Sequence, residues 1–132
     1  MTMWQKLSPE QYAVMINAYE NGYLNGVITD YDARRRRELL GDPQASSNLD
    51  DDGMRRLIPR FARVVADMIE RGWIEIREPH DGRWDSGEPM SPAKIRQTLK
   101  DERTWIIDTQ NYEHRMVMLV PGDRWEHVGR KS

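Results

Sequence analysis

Arg56, Arg60 and Arg63 stand at i, i+4 and i+7, a spacing that sets three guanidinium groups on one side of a helix, away from the apolar stripe through Phe61 and Val65. Each guanidinium offers five N–H donors in a planar fork. Such a row can hold phosphates or grip guanine bidentately, at about 1–3 kcal/mol of discrimination per good pair. The plainer reading is a solvated helix face, with Asp67 pairing to Arg63 at i+4. Arg83, in a polar loop after a short apolar alternation, is a further candidate for a minor-groove or backbone contact, against the opposing field of Asp81 and Asp85. The run Arg34-Arg35-Arg36-Arg37 is a weaker candidate. Four consecutive helical residues point around most of a turn and are not expected to form one patch, and Asp30 and Asp32 lie four residues before Arg34 and Arg36, the favourable order for helix ion pairs.

Other chemistries find little support. The chain has no cysteine, which removes disulfides, thiolate nucleophiles and cysteine-ligated zinc or iron–sulfur sites. His80, His114 and His127 are scattered, without the spacing of a helical zinc motif. Asp50-Asp51-Asp52-Gly53 lacks the alternating carboxylates and the twelfth-position glutamate of a calcium loop, and reads as an acidic lead into a helix, where it suits the helix dipole. No nucleophile elbow, phosphate-binding glycine loop or dinucleotide fingerprint is present, so a non-enzyme without metal or cofactor is expected. Trp73 and Trp105 sit in apolar contexts and read as core anchors. Trp4, Trp84 and Trp125 have polar neighbours and are candidates for an interface with another protein or a second copy, or else lids folded onto their own domain.

The elements that must carry these residues follow from period and punctuation. A chain of 132 residues is one domain's worth, 38% hydrophobic and 32% charged, with a net charge of −2 that argues against coating nucleic acid through bulk electrostatics. No apolar run approaches a membrane span and the start MTMWQKLSPEQ lacks a secretory pattern, so a cytoplasmic setting without membrane contact is expected. Ser8-Pro9-Glu10-Gln11 is a capping box with proline at the first helical position, opening a helix over about 8–25, with Gly22 and Gly26 as places to stop. A second helix, about 29–40, opens at Thr29 and ends at Gly41-Asp42-Pro43. Residues 43–53 read as a loop. The strongest stripe, Met54, Leu57, Ile58, Phe61, Val65 and Met68, is interrupted by Pro59, which predicts a short turn over 50–57 and the main helix over 58–71. Gly72 ends that helix. Alternation then predicts a half-buried strand over 73–78, a loop to Pro89, a Ser91-Pro92 helix over 91–102, a short strand over 104–107, and a strand over 115–120 that closes at Pro121-Gly122 and pairs with the first.

The stretch Met68-Ile69-Glu70-Arg71-Gly72-Trp73-Ile74, the loop Pro79-His80-Asp81-Gly82-Arg83 and the return Arg115-Met116-Val117-Met118-Leu119 resemble the winged-helix superfamily. They are similar to regulators of the multiple-antibiotic-resistance type and to small winged-helix-like proteins of actinobacteria and their phages. The chain departs from that pattern in the long segment between its strands and in ending the return with Leu119-Val120-Pro121-Gly122, not Leu-Thr-x-x-Gly. The resemblance implies one α+β domain over 1–132, mainly helical, with a small antiparallel ribbon as the wing, and the Ser91-Pro92 helix adds a helical insertion between its strands. Taken with the arginine row, that fold leads to the expectation of a DNA-binding transcriptional regulator, a homodimer, with the 58–71 helix in the major groove of duplex DNA. The alternative is a protein-interaction module on the same scaffold, such as a phage factor that binds a host protein.

Overall fold

The computed structural model describes residues 3–79 and 88–125. Helices α1 (Met3–Lys6), α2 (Pro9–Tyr19), α3 (Val27–Leu40) and α4 (Asp51–Glu70) lead into strand β1 (Ile74–Arg77). Helices α5 (Pro92–Lys100) and α6 (Glu102–Trp105) then precede strand β2 (Met118–Pro121). The architecture is α+β, as expected, and no described helix is long and apolar enough to cross a membrane.

The expected capping box forms at the head of α2: Ser8 N–H donates to Gln11 Oε1 at 2.9 Å and Gln11 N–H to Ser8 Oγ at 3.1 Å. The helix stops earlier than the glycines suggest. Asn21 turns left-handed at φ 53°, and the chain leaves the helix to pair with β2, Leu24 N–H donating to the Val117 carbonyl and Leu119 N–H to the Gly22 carbonyl, each at 2.8 Å. Tyr23 thereby forms a single bridge with Met118. The buried face of α2 also differs from the stripe Tyr12, Met15, Ile16, Tyr19 and Tyr23 that the helical period predicts. Ala13, Val14 and Ala18 join Met15 in the core, because small side chains let α2 lie close over α3, α4 and β2, while Tyr19 is 51% exposed.

The second helix opens at Val27 rather than Thr29, and Thr29 Oγ1 instead donates to the Gly26 carbonyl at 3.2 Å. Gly41 closes it in the left-handed region at φ 65°, as its type and position suggest. The expected break at Pro59 does not occur: α4 runs unbroken from Asp51, capped by Asp50, whose carboxylate accepts the Gly53 N–H at 2.7 Å. Pro59 and Arg55 both lie on the solvent side, so the carbonyl that proline leaves without a donor can be hydrated by water rather than buried. The whole stripe from Met54 through Ile58, Phe61, Val65 and Met68 therefore packs as one surface.

β1 and β2 pair antiparallel, Ile74 opposite Pro121 and Ile76 opposite Leu119, with Ile74, Ile76 and Leu119 buried. The pairing is the one expected, but the second strand is shifted to Met118–Pro121. The corner before β1 is built from two glycines. Gly72 sits at φ 75°, and Gly122 lies against it so closely that a Cβ there would run into the Gly72 carbonyl. Gly122 N–H donates to the Trp73 carbonyl at 2.8 Å and Arg124 N–H to the Gly72 carbonyl at 3.1 Å.

Arg115 stays out of the strand because it clamps the insertion to the sheet. It binds Glu78 through two N–H···O contacts of 2.8 and 2.9 Å and Asp101 at 3.4 Å, while its backbone N–H donates to the Arg103 carbonyl at 2.8 Å. Residues 104–107 are not a strand. Asp101 caps a helical turn by accepting the Arg103 N–H at 3.0 Å, Thr104 Oγ1 donates to the Thr98 carbonyl at 2.8 Å, and the buried Trp105 indole N–H donates to the Leu99 carbonyl at 2.9 Å.

A Gly122→Ala variant is expected to lose roughly 2–3 kcal/mol in urea unfolding, since the obstacle is backbone that cannot swing aside. The clamp adds a pH dependence. The side-chain hydrogen bond from Arg103, joined by Arg115, holds the Asp101 carboxyl below its ordinary range. A depressed folded-state pKa stabilises the fold above the unfolded value of about 4, and that contribution fades as pH falls through the lower, folded value. Urea midpoints measured between about pH 5 and pH 2 should fall less steeply for Asp101→Asn than for the parent chain.

Candidate nucleic-acid interface

α4 presents its core stripe on one side and its arginines on the other because the two sets sit about half a turn apart in a helix of about 3.6 residues per turn. Arg56, Arg60 and Arg63 are all exposed. Arg56 and Arg63 form no ion pair or hydrogen bond among the described residues. The expected Arg63–Asp67 pair is replaced by Arg71–Asp67 at 2.8 Å, and Arg71 also lies over the Trp73 ring at 5.0 Å. The acidic lead into α4 does not cover the basic row: Asp50 is a cap and Asp52 pairs with Arg55 at 2.7 Å, Arg55 reaching on to Glu102. Those two carboxylates raise the Arg55 pKa, the Glu102 hydrogen bond most, and fasten α4 to α6.

Arg60 differs from its neighbours. Its guanidinium leans 3.8 Å from Glu10 of α2, a pair worth little while Arg60 is 53% exposed. Glu10 is 15% exposed and has a second role, accepting the Tyr31 hydroxyl at 3.1 Å, and Tyr31 oxygen in turn accepts from Arg35 Nη1 at 2.9 Å. That hydrogen bond raises the Arg35 pKa above its ordinary value. A polar relay thus joins α2, α3 and α4 at the edge of the Tyr31–Phe61 contact, whose rings lie 5.0 Å apart.

The arginine run departs from the expectation of four separate directions. Arg36 does turn away, donating to the Ser46 carbonyl at 2.9 Å. The expected Asp30–Arg34 pair forms at 2.9 Å, but Asp32 does not reach Arg36 and instead accepts from Ser47 Oγ at 2.7 Å and Asn48 N–H at 3.3 Å. Arg34, Arg35 and Arg37 line one groove between α2 and α3, with the Arg34 guanidinium 5.4 Å over the Tyr12 ring and Arg35 5.8 Å over the Tyr31 ring. The signal for it was present in the sequence, since Tyr31, Arg34, Arg35 and Glu38 fall at i, i+3, i+4 and i+7, one stripe of the helix.

Arg83 and Trp84 lie outside the described residues. Trp125 is not a surface aromatic: it is fully buried, packed edge-on against Trp4 at 5.4 Å and Trp73 at 5.5 Å, with its indole N–H donated to the Tyr19 hydroxyl at 2.9 Å. Its polar neighbours in sequence point the other way, but the turn at Gly122 folds the ring back under α1 and α2. Trp4 is half-buried in the same cluster, in contact with Tyr12 and Tyr19. Among the described residues no group of three or more His, Asp or Glu side chains is placed to hold a metal ion.

Comparison with protein-family models, curated proteins and solved structures gave no match. The functional reading therefore rests on the geometry of the site.

The unpaired state of Arg56 and Arg63 separates a binding role from a structural one. Arg56→Ala and Arg63→Ala should each leave the urea midpoint within about 0.5 kcal/mol of the parent. A destabilisation on the order of 2 kcal/mol or more would show that these side chains serve the fold.

Proposed function

We propose that the chain is a DNA-binding protein of winged-helix type, a transcriptional regulator in which the outer face of α4 enters the major groove. The observation that carries this reading is the exposed Arg56 and Arg63, unpaired among the described residues while neighbouring Arg55 and Arg71 are held by carboxylates. Two guanidinium groups left with all their donors on a rigid twenty-residue helix suit phosphate oxygens or guanine edges. The order of pairing supports the scaffold: the segment between α2 and α3 bridges to β2, and β2 pairs with β1, which leaves α4 directly. In this reading Arg60 makes a phosphate contact at the edge of the row, the β1–β2 ribbon serves as the wing, and Arg83 is a candidate for a further contact. Among the described residues, the segment between the strands adds α5 and α6, which pack against α4 and are clamped by Arg115, while Arg56 and Arg63 on α4 stay exposed.

The protein would act as a homodimer in the cytoplasm, with two α4 helices about one duplex turn apart on a two-fold site. No cofactor and no catalytic step are invoked. Fluorescence anisotropy with mixed-sequence duplex at low and moderate salt tests the reading. Affinity should fall steeply with salt, and the double variant Arg56→Ala/Arg63→Ala should weaken binding at least tenfold, with the salt slope reduced by about one for each phosphate no longer neutralised. Absence of duplex binding at low salt, or binding indifferent to that double variant, overturns it.

A further inference from the structure

The groove between α2 and α3 is not used by the DNA-binding reading, and it is the most fully equipped concavity of the described chain. Its volume is about 740 Å³, within the range of small-molecule sites. One wall is apolar, formed by Leu7, Pro9 and the Tyr12 ring. The other carries Arg34 and Arg35, and Arg37 stands near the closing turn at Gly41.

The three guanidinium groups are fixed in place without being used up. Arg34 donates Nε to Asp30, Arg35 donates Nη1 to Tyr31, and Arg37 donates Nε to the Ala45 carbonyl, each at 2.9 Å. Each therefore keeps several uncommitted N–H groups among the described residues. The Arg34 and Arg35 guanidinium groups also lie 5.4 and 5.8 Å from the Tyr12 and Tyr31 ring centroids, cation–π contacts that help hold them in the groove. Their charge is only partly answered. Arg34 has Asp30, Arg35 is linked to Glu10 only through the Tyr31 hydroxyl, and Arg37 is tethered by a neutral carbonyl. Glu38 is the one carboxylate among the described lining residues.

The ligand that such a site matches is an anion with more than one charge and three acceptor oxygens, attached to an apolar body. A carboxylate has two oxygens and one charge, which one fork already satisfies. A phosphate monoester carries about −1.5 to −2 at neutral pH and three strong acceptors, enough for the donors of all three arginines. We propose that this groove binds a phosphate monoester of a small molecule, its phosphate held by Arg34, Arg35 and Arg37 and its aryl or alkyl body against Leu7, Pro9 and Tyr12.

Isothermal titration of the full chain with phenyl phosphate tests the proposal, with inorganic phosphate, phenol and benzoate as separate titrants. Phenyl phosphate is expected to bind saturably and at least tenfold more tightly than each of the other three. Arg35→Gln should lower that affinity at least tenfold. Arg35→Lys, which keeps the charge but loses the planar fork, should restore less than half of the lost binding free energy. Circular dichroism and the urea midpoint establish that both variants are folded, and a Tyr12→Leu variant, which removes the aromatic ring but keeps an apolar wall, should weaken phenyl phosphate while leaving duplex DNA titrations unchanged. Phenyl phosphate binding no tighter than inorganic phosphate, or unaffected by Arg35→Gln, overturns the proposal. The DNA-binding reading stands or falls separately, on Arg56 and Arg63.

Discussion

The apposition of Gly72 and Gly122 is the contact on which the rest of the arrangement depends. Gly72 takes a left-handed conformation that ends α4 and aims the chain into β1, and Gly122 must lack a side chain to lie against its carbonyl. Two hydrogen bonds cross this point, Gly122 N–H to Trp73 and Arg124 N–H to Gly72, so the return strand is locked to the corner at its end. Because strand side chains alternate, a slip of one residue would turn Ile74, Ile76 and Leu119 out of the core. The same turn brings Trp125 under Trp4 and Trp73, closing the core from below with edge-on rings.

Arginine divides between two kinds of work in this chain. Arg36, Arg37 and Arg115 hold irregular backbone or the insertion in place by donating to carbonyls and carboxylates. Their planar forks can satisfy several acceptors with one side chain, which suits segments that have no ladder of their own. Arg56 and Arg63 do none of this. The difference is visible only as partners present or missing, since all five residues have the same chemistry and similar neighbours in sequence.

The relay from Arg60 through Glu10 and Tyr31 to Arg35 physically joins the outer side of α4 to the α2–α3 groove. Glu10 is the shared anion. A change in the demand on Glu10 from one side alters what it offers to the other, because one carboxylate has a fixed charge to divide. The Tyr31 ring beneath this relay is packed on Phe61, at the centre of the α4 stripe, so the polar chain and the core meet at one residue.

Local signals determined most of the elements. Capping residues at Ser8 and Ser91, the glycines at 41 and 72, and the alternation through Ile74 and Ile76 each act over a few residues and are legible without a fold. The outward set of Arg56, Arg60 and Arg63 was legible for the same reason, since helical period alone places them opposite Phe61 and Val65. Tertiary structure decided the rest. Pro59 remains inside a helix because packing of the whole Met54–Met68 stripe outweighs one missing hydrogen bond on an exposed face. Residues 22–24 leave their helix only because β2 is there to receive them, and Thr104 and Trp105 join a helical turn because Thr98 and Leu99 offer them carbonyls. The groove required α2 to bring Tyr12 beneath Arg34, and Trp125 required a turn that folds it inward. Residue type and period state what a side chain can do; which partner reaches it first depends on chain segments distant in sequence, and that is settled only when the core closes.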